Sequence, residues 1–195
     1  MRIISGHARG RKLKTPGNSN SIRPTTDRAR EALFSIIGNR IISARVLDLF
    51  AGTGALGLEA FSRGAQQVVF VEKQSKAIEV IKHNCALCTM GLKDIQGNEL
   101  TVIQYDLCRG LNFKHPTFDE SSCFDLIFLD PPYKKNLAEE SLTFLDSSHF
   151  ITATTLIIAE ESSGQSLPDS YSKLELADQR RYGDTGFWFY KVKDQ

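Results

Sequence analysis

The run Val46-Leu47-Asp48-Leu49-Phe50 is too short for a buried helix, and it empties at once into Ala51-Gly52-Thr53-Gly54-Ala55-Leu56-Gly57. A strand that turns on glycines into a helix returns through a crossover, so the strand that follows lies parallel to it. The alternation then continues. Residues 68–71 read as a second strand, followed by a helix containing Ile78 and Ile81, and residues 100–104 as a third strand. Residues 124–129 read as a fourth, nearly continuous in apolar side chains, as a central parallel strand should be. A helix near 137–145 and a strand over 155–159 follow. A terminal hairpin of 173–181 with 187–192, crossing Gly183-Asp184-Thr185-Gly186, completes the pattern. The expectation is an α/β, Rossmann-like, doubly wound sheet that takes ligands at the carboxyl ends of its strands.

Ahead of that pattern, residues 2–14 read as a β-hairpin turning through Gly6-His7-Ala8-Arg9-Gly10, with basic side chains on its rim. Pro16-Gly17-Asn18-Ser19-Asn20 has the chemistry of a linker. Thr25-Thr26-Asp27 offers helix caps; Ala29, Ala32, Leu33, Ile36 and Ile37 share one face of the helix, and Gly38 ends it. The expected division is a basic arm with its linker over 1–22 and one α/β domain over 23–195. Residues 1–45 hold ten Lys/Arg against Asp27 and Glu31, a net +8, while the rest holds fourteen basic and twenty-one acidic residues, a net −7. A basic arm on an acidic body suits phosphate contact, and a solvated basic face fits the same charges. Arg2, Arg9, Arg11, Lys12 and Lys14 are the candidate nucleic-acid contacts.

Some classes fall away. No apolar run approaches the roughly 20 residues of a membrane span, and Met1-Arg2-Ile3-Ile4-Ser5-Gly6-His7 has no signal-peptide core, so a cytoplasmic protein with no membrane partner is expected. Cys85-x-x-Cys88 invites a metal reading, but no second such pair exists, and Ile78, Ile81, Cys85 and Cys88 fall on one helical face. Buried structural thiols and no metal are expected.

Gly52-x-Gly54-x-x-Gly57, with Glu72 at the end of the next strand, satisfies the dinucleotide fingerprint formally, so a nicotinamide-dependent oxidoreductase is one reading. Asp48 argues against it. A carboxylate inside the turn repels a pyrophosphate, whereas S-adenosylmethionine has no phosphate and carries an ammonium that a carboxylate helps to hold. Glu72 suits the ribose hydroxyls, and Asp106 is placed to meet an adenine amino group. By spacing alone the loop stays open between the two.

Ile127-Phe128-Leu129-Asp130-Pro131-Pro132-Tyr133 carries the chemistry. An exocyclic amine of a nucleobase is a poor nucleophile because its lone pair is delocalised. If its hydrogens are held by the Asp130 carboxylate and the Pro131 carbonyl, the lone pair can be aimed at a methyl donor. The prolines, Pro131 and Pro132, fix that backbone in advance. Tyr133 offers a ring for the base to stack on. Such a base must leave its stack to be reached, and no metal is required. The bland alternative, a proline-terminated strand, does not explain a carboxylate at the carboxyl edge of the sheet.

These residues resemble the class I methyltransferases with a D/N-P-P-Y/F motif and, more narrowly, the bacterial guanine-N2 methyltransferases of 16S ribosomal RNA. Four stretches carry the resemblance: Arg23-Pro24-Thr25-Thr26-Asp27-Arg28-Ala29-Arg30-Glu31-Ala32-Leu33-Phe34, the loop from Asp48 to Ala60, Asp130 to Tyr133, and Tyr182-Gly183-Asp184-Thr185. The resemblance implies a seven-stranded, mostly parallel sheet with helices on both faces, S-adenosylmethionine as cofactor, and one guanine of 16S ribosomal RNA, free or in the small subunit, as target. It also implies that Arg23 and Thr25 lie near the amino-acid end of the cofactor and that the basic hairpin grips RNA. The candidate cofactor set is then Asp48, Phe50, Gly52, Thr53, Gly54, Glu72, Lys73 and Asp106, with Arg23 and Thr25. Thr53 stands where a serine is frequent, and 117–122 reads as a lengthened loop.

The same tetrapeptide serves DNA adenine-N6 or cytosine-N4 methylation and glutamine-N5 methylation in protein. About 45 residues before the core leave little room for a DNA recognition region, and a glutamine enzyme carries a larger helical N-terminal part. A non-catalytic RNA-binding assembly factor would have no use for Asp48, Glu72, Asp106 and Asp130 together. A monomer is expected.

Overall fold

The computed structural model describes residues 1–15, 26–90, 99–111, 113, 122–132 and 136–194. The alternation resolves into β1 (Arg45–Leu49), α2 (Ala55–Ser62), β2 (Gln67–Glu72), α3 (Ser75–Thr89), β3 (Glu99–Gln104), β4 (Leu126–Leu129), α4 (Leu137–Asp146) and β5 (Leu156–Ser162). α1 (Asp27–Ile37) precedes them, and β6 (Leu174–Tyr182) and β7 (Thr185–Val192) close the chain. The sheet has seven strands in the order β3-β2-β1-β4-β5-β7-β6. The first five run parallel, and β7 lies antiparallel between β5 and β6.

Strand alternation splits the core in two. Val46 and Phe128 look toward α1 and α2, while Leu47, Leu49, Ile127 and Leu129 look toward Leu142 and Leu145 of α4. Both faces of the central strands are thereby dry, which is why their sequences are almost wholly apolar. α1 starts where expected: the Thr26 hydroxyl accepts from the Ala29 N–H at 3.2 Å, and Gly38 takes a positive φ at the other end. Cys88 is buried on α3 and Cys85 half-buried, their thiols pushed up by burial to about 11 and about 12. No helix among the described residues is long and apolar enough to cross a membrane.

The N-terminal segment departs from expectation. The two-stranded hairpin over 2–14 reduces to a single antiparallel bridge, Arg2 with Lys12. Around it the Ile3 N–H donates to the Arg11 carbonyl and the Leu13 N–H to the Met1 carbonyl, and much of the remaining chain is spent on contacts with the body. Ile3, Ala8 and Leu13 enter the same core cluster as α1 and α2. The backbone N–H groups of Ile4 and Ser5 donate to the buried Glu59 carboxylate at 2.7 and 3.0 Å, and those of His7 and Ala8 to Ser62. Gly6 sits so close to α2 that a Cβ there would lie 1.7 Å from the Ser62 carbonyl oxygen. The linker over 16–20 and the loop over 117–121 fall outside the described residues.

Candidate active site

β1 runs on to β2 and β3 on one side, whereas β4 and β5 lie on the other. The order reverses between the carboxyl ends of β1 and β4, which is where an open α/β sheet leaves a crevice. The glycine loop and Asp130 meet there. The Asp130 N–H reaches the Leu49 carbonyl at 3.5 Å, tying the end of β4 to the start of the loop.

The loop is held by its own backbone and by two carboxylates. Phe50, Gly52 and Gly54 all have positive φ, so the chain turns sharply between β1 and α2. The Gly52 N–H donates to Glu72 Oε2 at 3.0 Å, while Oε1 of Glu72 accepts from Lys73 and Gln74. Asp48, 2% exposed, accepts from the Gly57 N–H at 2.9 Å and so fixes the first turn of α2. Gly57 is needed for packing: a Cβ would lie 2.4 Å from the Phe70 ring. Thr53 is buried, and its carbonyl accepts from Asn84 Nδ2 at 2.9 Å.

Burial pushes the Asp48 carboxyl up to about 8, against the Gly57 hydrogen bond and with help from Glu72. Asp130, half-buried at the edge, is raised well above the ordinary carboxylate range by burial and then by Glu160, Asp48 and Glu161. Glu160 and Glu161 belong to the carboxyl end of β5, where they are 2% and 5% exposed. Neither was singled out from sequence, although a pair of carboxylates closing the run Ile157-Ile158-Ala159 was a visible signal. Pro131 is buried behind Asp130, and Pro132 is exposed.

Beyond Glu72 the edge opens into a cleft of about 510 Å³ lined by Lys73, Gln74, Gln104, Tyr105, Asp106 and Arg109. Asp106 accepts from the Cys108 N–H at 3.2 Å and lies 3.8 Å from Lys73 Nζ; the Cys108 hydrogen bond holds its carboxyl below the usual range. Arg23, Thr25 and Tyr133 fall outside the described residues.

The basic residues are divided between folding and solvent. Arg11 donates to the Leu87 and Met90 carbonyls at the end of α3, and Arg2 lies 3.6 Å from Asp27. Arg9, Lys12 and Lys14 are exposed. Asn84 of α3, which sequence reading missed, joins the two regions: it pairs with the Lys14 backbone on one side and the Thr53 carbonyl on the other. Its helical position looked like any polar one.

Five parallel strands with an antiparallel β7 inserted before the last, and a carboxylate-Pro-Pro turn at the switch point, define a class I methyltransferase fold. The chain belongs to the family described as Conserved hypothetical protein 95, whose model matches residues 1–191. YlbH of Bacillus subtilis (strain 168) is 38% identical over 193 residues, covering 99% of this chain and 100% of the relative. Ribosomal RNA small subunit methyltransferase D of Escherichia coli (strain K12) is 31% identical over 196 residues, covering 100% of this chain and 91% of the relative. The solved structure of the Escherichia coli protein YhhF matches with a TM-score of 0.81 at 31% identity, covering 100% of this chain and 99% of that one.

Proposed function

We propose that this chain is an S-adenosylmethionine-dependent ribosomal RNA methyltransferase acting on the exocyclic N2 of a guanine in 16S RNA. The observation that carries the reading is Asp130, set by two prolines at the switch point of the sheet and surrounded by Asp48, Glu160 and Glu161. The ribosomal substrate is supported by the family and by the small-subunit enzyme among its relatives. Guanine N2, in preference to another amino group, rests on the resemblance of the four motifs.

The residues fit the cofactor. Asp48, Glu72, Asp130, Glu160 and Glu161 put five carboxylates along one crevice, and two of them have pKa values raised by burial and mutual repulsion. Such a crevice favours a ligand with an ammonium and a sulfonium and rejects a pyrophosphate. Asp48 and the loop over Gly52, Thr53 and Gly54 would serve the amino-acid end, with Phe50, Arg23 and Thr25 beside it. Glu72, Lys73 and Asp106 would serve the adenosine end, along the 510 Å³ cleft. When bound, the cofactor supplies an electrophilic methyl group on positively charged sulfur.

The chain's own part is orientation and charge. The Asp130 carboxylate and the Pro131 carbonyl accept the two amine hydrogens, so the nitrogen lone pair is freed from the ring and aimed. Tyr133 stacks on the base. A bound cation would offset the carboxylates around Asp130 and favour its ionised form, the form that can take the proton the amine must lose. Arg9, Lys12 and Lys14 contact phosphates, with Arg2 and Arg11 contributing field more than contact.

The test is transfer of labelled methyl from S-adenosylmethionine into small subunits lacking N2-methylguanosine, with free 16S RNA, DNA and protein as controls. Label recovered as N2-methylguanosine is the expected result. Label confined to DNA or protein overturns the substrate, and no label in any of them overturns the enzyme.

A further inference from the structure

A second cleft, of about 720 Å³, lies between the first turns of α1 and the turn joining β6 to β7. Arg28, Ala29 and Ala32 form one wall, and Tyr182, Gly183 and Asp184 the other. Two of the four motifs recognised in the sequence therefore face each other across it, and the chemistry at the switch point uses neither wall. Its volume is within the range of pockets that hold nucleotide-sized ligands.

Its position is informative. The Asp184 carbonyl accepts from the Ser163 N–H, and Thr185 pairs with Ser162 at the end of β5, so the turn stands at the same carboxyl edge as Asp130. Three strand spacings separate the end of β4 from the end of β6, roughly 14 Å. That is too far for the target base and near enough for a nucleotide a little further along the same strand. The lining has both halves of a nucleotide recognition site. Tyr182 is half-buried, with its ring tilted against Phe187 at 6.0 Å, and can present a face to a base. Arg28 is exposed on α1, where a guanidinium can meet a phosphate.

We propose that this cleft binds an unpaired nucleotide flanking the target guanine, with its base on Tyr182 and its phosphate toward Arg28. The inference rests on the ribosomal RNA reading above, and it makes the cleft a determinant of RNA affinity and register with no part in binding the cofactor.

The experiment measures small-subunit binding by filter retention and methyl transfer by steady-state kinetics, for the full chain and for Tyr182→Ala, Tyr182→Phe and Ala32→Trp. Tyr182→Ala should raise both Kd and KM for subunits roughly tenfold, the scale of one lost base stack. Tyr182→Phe should restore both, and the Kd for S-adenosylmethionine should stay unchanged throughout. Ala32→Trp fills the cleft without removing the Tyr182–Phe187 contact, so it should match Tyr182→Ala even if the latter loosens the hairpin. Unchanged subunit affinity in both Tyr182→Ala and Ala32→Trp overturns the inference. Wild-type chain that binds subunits without methylating them overturns the catalytic reading alone, because the cleft is still judged on Kd. Wild-type chain that binds no RNA overturns both.

Discussion

The acidic carboxyl edge of the sheet and the basic N-terminal segment handle charge in opposite ways. At the edge, burial with help from Glu72 pushes Asp48 up to about 8, and burial together with Glu160, Asp48 and Glu161 raises Asp130. In and beneath the N-terminal segment several charges already have partners. Glu59 accepts from two backbone N–H groups and pairs with Arg63 at 2.7 Å, and Arg11 caps α3. Acidic groups that repel one another favour a ligand of opposite sign, whereas a guanidinium already donating within the fold has less left to offer one. On the function proposed above, the edge suits a cationic ligand, and only part of the basic segment remains to meet RNA.

The largest effect expected from breaking that contrast is at Glu59. Glu59→Ala removes a buried partner of Arg63 and leaves the Ile4 and Ser5 N–H groups without an acceptor. Loss of a buried pair of this kind costs about 3–5 kcal/mol. Chemical denaturation should show that loss, and limited proteolysis should cut first within residues 1–15. A variant with wild-type stability and an uncut N-terminus would mean the segment is held by its apolar side chains alone.

Next in size is Asp130→Ala. In the proposed mechanism its carboxylate is the acceptor for the reacting amine, and removing one such preorganised group should lower turnover by roughly two orders of magnitude or more, about 3 kcal/mol. Cofactor affinity measured by calorimetry should survive. Turnover at the wild-type rate would remove Asp130 from the chemistry.

The third effect is a pH dependence. Asp48 titrates near 8 in the folded chain and near 4 when unfolded. Between those values the folded form holds a proton that the unfolded form has lost. Stability on this account therefore falls as pH rises from about 4 to about 8, and is flat above. Asp130 acts in the same direction. Melting temperature without ligand should drop across that range. The increment given by saturating S-adenosylmethionine should widen, because the cation binds the ionised carboxylates. An increment independent of pH would show that the crevice does not exchange protons for its ligand.

The contrast also governs what was legible beforehand. Apolar runs marked the central strands to within a few residues, because burial on two faces leaves a strand little choice of side chain. The glycine loop and Asp130-Pro131-Pro132 were legible because their conformation is imposed locally. Glu59, Asn84 and Arg30 were not. Each occupies a helical position that reads as solvent-facing, and each is buried with residues 1–15 bonded to it. Nothing in the spacing of a helix says which face another segment will cover. For the same reason five cations of the N-terminal segment looked equivalent as RNA contacts, although the fold uses the guanidinium of Arg11 and engages Arg2 with Asp27.

That inequality gives the smallest and most discriminating measurement. Each phosphate contact on single-stranded RNA contributes about −0.7 to the slope of log affinity against log salt. Replacing Arg9, Lys12 and Lys14 together should therefore flatten the slope by about 2 while leaving the melting temperature almost unchanged, since all three side chains are exposed. Arg11→Ala should do the reverse: it frees the Leu87 and Met90 carbonyls, lowers the melting temperature by a few degrees, and leaves the slope within error. If Arg11→Ala flattens the slope as much as any of the other three, the guanidinium leaves α3 when RNA arrives, and the division between folding charges and binding charges does not hold in the complex.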